Sequence, residues 1–156
     1  MAESMSIGFD ASSAYAGLDA LQEASEAALR PAAQAGAEDL YFETRLRCPE
    51  SDHAHYFYGR DSKKTGVKYY FAPGNLRNSL YQVFSKDNSG KTRATYHVAW
   101  NHTKAPYGFM VEYGTSYAPA HPFLRPAFDS RAPESLQIVR NVYVERMNEA
   151  IKALAS

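Results

Sequence analysis

Glu112 and His121 bracket much of the stretch VEYGTSYAPAHPFLRPAF, residues 111–128, and could be cast as an acid and a base facing one cleft. No nucleophile accompanies them. The chain has no GxSxG, no Gly-rich phosphate loop and no HExxH, so no catalytic residue is assigned and no enzyme is expected. His53 and His55 stand two apart beside Asp52, but a zinc site needs three or four ligands in a defined geometry. The remaining histidines are scattered at 97, 102 and 121, so no metal and no cofactor is expected. Cys48, the single cysteine, excludes an internal disulfide and any multi-cysteine metal site, and reads as a structural thiol. Arg60, Lys63, Lys64 and Lys68 interleave with Tyr56, Phe57, Tyr58, Tyr69 and Tyr70. Cations for phosphates and rings for bases are what a nucleic-acid groove would use. The same residues also make an ordinary solvated hairpin. With no reading helix, what remains on the nucleic-acid side is non-specific contact with a passing DNA backbone.

The elements that carry these residues follow from periodicity. Residues 6–10, SIGFD, read as a short strand with Ile7 and Phe9 on one side. Ser12 and Ser13 offer N-caps to an alanine-rich helix whose stripe runs Leu18, Leu21, Ser25, Ala28, Leu29, Ala32, Gly36 and Leu40. Pro31 removes a backbone donor, which predicts a bend or break near 27–31. The helix should end before Cys48–Pro49.

Two aromatic triplets, 56–58 and 69–71, flank the polar GRDSKKTG, which predicts a hairpin with a basic tip. A helical turn follows in PGNLRNSL, then strands around 81–86 and 92–100 joined by Asp87-Asn88-Ser89-Gly90. APYGFMVEYG reads as a further strand or strand–helix junction. From Pro133 onward, Leu136, Val139, Val142, Tyr143, Met147, Ala150, Ile151 and Leu154 keep helical period. The predicted fold is α+β, with a long N-terminal helix and a C-terminal helix packed on a small antiparallel β-sheet. One domain spans 1–156, with 50–72 as an aromatic and basic hairpin insertion.

The 156 residues are enough to bury a core, and 45% hydrophobic content speaks against wholesale disorder. Twelve tyrosines and eight phenylalanines are many for this length, and surplus aromatics favour interfaces. No segment has the roughly 20 apolar residues of a membrane helix. The first thirty residues show no basic start followed by an apolar run, so a soluble chain used without export is expected. Net charge is zero but polarised: −6 over residues 1–50, +5 over 51–95 and +1 over 96–156. An acidic front and a basic middle suit stacking on copies of the same chain.

Two stretches resemble a known family. PGNLRNSL (73–80) is similar to a TG-x-L-x-x-S element, with Gly74, Leu76 and Ser79 at its positions. YGFMVEYGTSYAPAHPFLRPAF (107–128) is similar to Y-A-x-x-V-E-F-G-T…P-A-x-P-F-L-R-P-A. Both elements, and their order along residues 5–155, resemble the small neck proteins, often labelled tail components, of tailed double-stranded DNA bacteriophages. Two departures are visible. The family's K-x-x-x-P-V-D-T-G run gives way here to the aromatic hairpin, and Pro73 replaces the threonine before Gly74.

The resemblance implies a structural virion protein in the neck, a homo-oligomeric ring of six or twelve copies around the DNA channel, assembled in the bacterial host cytoplasm. Its neighbours would be the head connector or stopper and the tail terminator or tail tube, with non-specific contact to viral DNA and none to a membrane. A tail completion or terminator protein capping the tail tube is the alternative, and a nucleic-acid-binding accessory protein is the alternative from another class. The expected subunit or partner interface comprises Glu112, Tyr113, Gly114, Pro119, Pro122, Phe123, Leu124, Arg125 and Pro126, with Tyr56, Phe57, Tyr58, Tyr69 and Tyr70. Arg60, Lys63, Lys64 and Lys68 are the expected DNA-facing group. Arg125 can fork onto a carboxylate, and Glu112 is one candidate, in the same chain or across a boundary. Phe123 and Leu124 are equally suited to plain core packing.

Overall fold

The computed structural model describes residues 7, 8, 10–58 and 61–155. In chain order its elements are helix α1 (Ser12–Arg47), strand β1 (His55–Phe57), helix α2 (Ser62–Thr65), strand β2 (Tyr69–Phe71), helix α3 (Asn75–Asn78), strands β3 (Leu80–Phe84) and β4 (Tyr96–Trp100), helix α4 (Gly108–Tyr113) and helix α5 (Leu124–Leu154). The α+β class holds. The expected single sheet is instead two separate two-stranded ribbons, β1–β2 and β3–β4, both antiparallel.

The frame is the pair α1 and α5. Along α1 the buried positions are Ala28, Ala32, Gly36, Ala37 and Thr44, so small side chains face the seam. Side-chain pairs fix the direction: Ser25 meets Tyr143, Asp39 meets Arg131 and Ser135, and Arg47 meets Ser130. Partner numbers fall as α1 numbers rise, so the helices are antiparallel. Gly36 marks the tightest approach: a Cβ there would collide with Val139 and stand 3.1 Å from the Ser135 carbonyl oxygen. Asp39 locks the same seam, taking Arg131 Nη2 at 3.0 Å and the Ser135 hydroxyl at 2.7 Å.

The β3–β4 ribbon lies against α1. Its register runs from Leu80↔Trp100 to Phe84↔Tyr96. The Arg30 guanidinium sits 4.6 Å over the Phe84 ring, and the Tyr96 hydroxyl donates to Gln34 at 3.3 Å. Where α1 ends, Cys48, Leu76, Leu80, Trp100, Ala105 and Phe123 form the core, ringed by Tyr41, Tyr107, Val111 and Leu124. The β1–β2 ribbon joins this core through Phe57 and Phe71, which pack on Tyr107 at ring distances of 6.4 and 4.8 Å.

Several local expectations change. Pro31 lies within an unbroken α1. A proline forfeits one backbone donor, and the burial of Ala28 and Ala32 on either side holds the turn together. Neither expected serine caps α1: Ala11 occupies the cap position, and the Asp10 carboxylate accepts the Ser12 N–H at 2.9 Å. Residues 7, 8 and 10 take no regular structure, while Ser6 and Phe9 of the expected strand lie outside the described residues. The later hairpin strand begins at Tyr96 rather than Thr92, because Ser89 and Thr95 side-chain bonds close the connecting loop. The expected strand or strand–helix junction over 105–114 holds the helix α4, Gly108–Tyr113. The last helix starts at Leu124, nine residues before Pro133. Pro126 fits its first turn, where a missing N–H is without consequence.

Candidate functional site

The stretch 108–128 folds as helix, turn and helix, and each residue type has a local reason. Gly108 opens α4 flat against the Trp100 indole, where any side chain would collide with the ring. Gly114 ends α4 at φ 76, ψ 179, a conformation open essentially only to glycine. A Cβ there would stand 2.8 Å from the Ala120 nitrogen. Thr115 then closes the return loop: its N–H donates to the Ala118 carbonyl at 2.9 Å, and its hydroxyl accepts the Ala118 N–H at 3.0 Å. The His121 N–H donates back to the Val111 carbonyl at 2.8 Å, which delivers the chain to the start of α5.

Glu112 waits there. Its carboxylate accepts the N–H groups of Phe123 at 2.8 Å, Leu124 at 3.0 Å and Arg125 at 3.1 Å. These are orphan donors at the beginning of a helix, where the helix dipole also favours an anion. Arg125 adds Nε to the carboxylate at 3.1 Å and Nη2 to the Glu112 carbonyl at 3.1 Å. Its guanidinium lies 4.4 Å over the Tyr113 ring. Burial of Glu112 pushes its pKa up, but the three N–H groups and Arg125 more than offset this and hold it below the ordinary value. The group is an ionised clasp between α4 and α5. It has four donors, and the exposed His121 imidazole is not among them.

The expected interface residues therefore divide. Glu112 (1% exposed) and Phe123 (0%) are buried within the chain itself, a correction to their placement on a partner-facing surface. Phe123 packs edge-on against Trp100 at 5.9 Å, and the Arg125–Glu112 pair forms within the chain. Leu124, Pro126 and Gly114 are half-buried; Tyr113, Pro119, Pro122 and Arg125 remain exposed. At the tip of the loop Tyr117 is 99% exposed, a large apolar group that the expected interface set omitted.

The second candidate region is the β1–β2 ribbon. Tyr56, Tyr58, Tyr69 and Tyr70 are exposed, with Tyr56 and Tyr70 facing each other across the strands at 5.5 Å. Phe57 turns inward. Lys63 and Lys64 stand exposed on α2 at the tip, Lys68 Nζ lies 5.8 Å over the Tyr58 ring, and Arg60 lies outside the described residues. His55 packs edge-on against Tyr107, not on a ligand set. Among the described residues no three His, Cys, Asp or Glu side chains come together as a metal site, and no helix is long and apolar enough to cross a membrane. Cys48 is buried, and burial pushes its thiol up to about 11, well away from the reactive range.

Two grooves escaped sequence reasoning. One, of about 430 Å³, runs between α1, β4 and the start of α5, lined by Leu40, Val98, Leu124 and Phe128. The other, of about 570 Å³, lies between Leu18 and Leu21 of α1 and Ile151 and Leu154 of α5. The leucines of the second stand in the helical stripe, but periodicity marks a face without saying whether it is covered. No protein-family model, curated protein or solved structure matches this chain.

Proposed function

We propose that this chain is a structural, non-enzymatic protein of a tailed double-stranded DNA phage particle. It forms a ring of copies in the neck and joins head to tail around the DNA channel. Six or twelve copies are the expected number, and the connector and the tail-tube side of the particle are its neighbours. Beyond the motif resemblance, one observation carries the assembly reading. The lone chain exposes 11621 Å², against roughly 7,900 Å² for a compact monomer of its 17.4 kDa. Such an excess suits a subunit whose faces are covered by neighbours. A closed ring needs one patch of each copy to meet a different patch of the next, and an extended subunit with unlike ends supplies that.

Mass spectrometry of purified particles tests the reading. The chain should be present at several copies per particle; its absence from mature particles removes the proposal. Comparing tailless heads with free tails separates the neck from the tail-completion or terminator position, because a neck protein stays with the heads. An accessory nucleic-acid binder would instead co-purify with DNA from infected cells and be missing from particles.

A further inference from the structure

The molecule has two chemically opposite ends. Residues 12–29 of α1 carry three carboxylates, Asp19, Glu23 and Glu26, and no lysine or arginine. The facing end of α5, residues 141–154, holds two acidic and two basic side chains and leaves that balance unchanged. Between these helix ends lies the groove of about 570 Å³, with Leu18, Ile151 and Leu154 exposed along it. The β3–β4 ribbon meets α1 further along, at Arg30 and Gln34, and the groove is lined by α1 and the end of α5. A pair of helices cannot cover both of its own apolar faces.

The other end is the β1–β2 ribbon. It is anchored on Tyr107, beside the core cluster that includes Cys48 at the C-cap of α1. About 39 Å of helix separates Leu21 from Arg47, at 1.5 Å per residue. Residues 60–68 carry four cations against one carboxylate, Asp61, and exposed tyrosines stand on the adjoining strands.

We infer that the ribbon of one copy seats on the α1–α5 end of the next. Tyr56, Tyr58, Tyr69 and Tyr70 supply the apolar contact for the Leu18–Ile151–Leu154 groove, and Lys63, Lys64 and Lys68 meet Asp19, Glu23 and Glu26. This contact rests on the reading of the chain as a ring subunit and names the two surfaces that meet. Charge selects the occupant. Groove against groove would bring two acidic helix ends together, and ribbon against ribbon two basic tips, whereas ribbon on groove pairs opposite signs. The contact is heterologous, as ring closure requires. It also gives the lysines an acidic protein surface to face in place of DNA.

The test is sedimentation of the purified 156-residue chain, with two charge-reversed variants, K63E/K64E/K68E and D19K/E23K/E26K. The wild type should self-associate with rising concentration, less so at high salt. Each variant alone should lose about 100-fold or more in association constant, because like charges then face each other. Their equimolar mixture should regain association, since each variant's ribbon now complements the other's groove. That rescue also shows both are folded. A wild type that stays monomeric to about 1 mM overturns the inference. So does a single variant that associates like the wild type, or a mixture no better than its parts. Loss of DNA retention in the lysine variant with association intact assigns the tip to DNA and equally overturns it. Presence of the chain in purified particles is scored separately, so the neck reading can survive while this contact falls.

Discussion

Glu112 does at the scale of one residue what a capping side chain does for most helices, but from eleven positions upstream of Phe123. Its loss strips three backbone donors and a guanidinium of their acceptor at once. Glu112→Ala should therefore destabilise the fold by about 2–4 kcal/mol in urea unfolding, the sum of a cap and a charge-assisted bond. Glu112→Gln, which keeps an acceptor oxygen, should cost less. Arg125→Ala should cost only about 1 kcal/mol, because half of that side chain already faces water and the backbone donors remain. A fully unfolded Arg125→Ala would show that the arginine, not the backbone set, holds the clasp. The acid response follows from the lowered pKa. A carboxylate held below its ordinary value of 4.5 contributes its full stability above that pH, and loses it as pH falls through the folded-state value. The stability gap between wild type and Glu112→Gln should be constant near neutrality and shrink below about pH 4.5. A gap that ignores pH would count against an ionised clasp.

At the scale of elements, the seam between α1 and α5 is where sequence and packing agree most closely. Its small-residue stripe is readable as helix, and Gly36 shows why one member is the smallest of all. Alanine at position 36 would gain about 1 kcal/mol of helix propensity. It would also push Val139 and approach the Ser135 carbonyl at 3.1 Å, an overpacking cost of about 1–3 kcal/mol. The steric term should win. Gly36→Ala should lower Tm by about 2–6 °C in a thermal melt, and an unchanged or raised Tm would mean the helices separate more easily than their packing implies. Elements less rich in repeats misled in understandable ways. FMVEY, with two aromatics and a valine, is apolar enough for a strand, and a run this short carries too few turns to show a helical period. Gly108 on the Trp100 ring and Glu112 at the head of α5 draw it into a helix instead. Helical period is legible only from Pro133 onward; in the structure Pro126 serves the first turn of α5 and Pro133 lies inside it.

For the whole molecule the governing fact is unevenness. The core lies around Trp100 and Phe123, at one end of α1, while the far end of the two long helices has only the groove between them. Local opening should follow that gradient. In hydrogen exchange of the dispersed chain, amides at 12–24 should exchange faster than those at 32–44, where Ala32, Gly36, Ala37 and Thr44 are buried. On self-association the amides at 12–24 should slow. Uniform protection along α1 in the dispersed chain would show that the helix end needs no neighbour.

What the amino-acid sequence determined by itself is the local and periodic part. It sets two long helices by their stripes, an aromatic ribbon with a basic tip, a turn at Gly114, an acidic front and a basic middle. Each of these rests on neighbours in the chain, or on positions three or four apart, so it can be read in one dimension. The tertiary structure alone decided that Glu112 and Arg125 close on each other within the chain, that Phe123 belongs to the core, and that the β-structure splits into two ribbons. It also decided that Leu18 and Ile151 line an open groove. Those outcomes depend on which surfaces meet across separations of eleven to more than a hundred residues. Composition limits such meetings, but only the packed backbone selects among them.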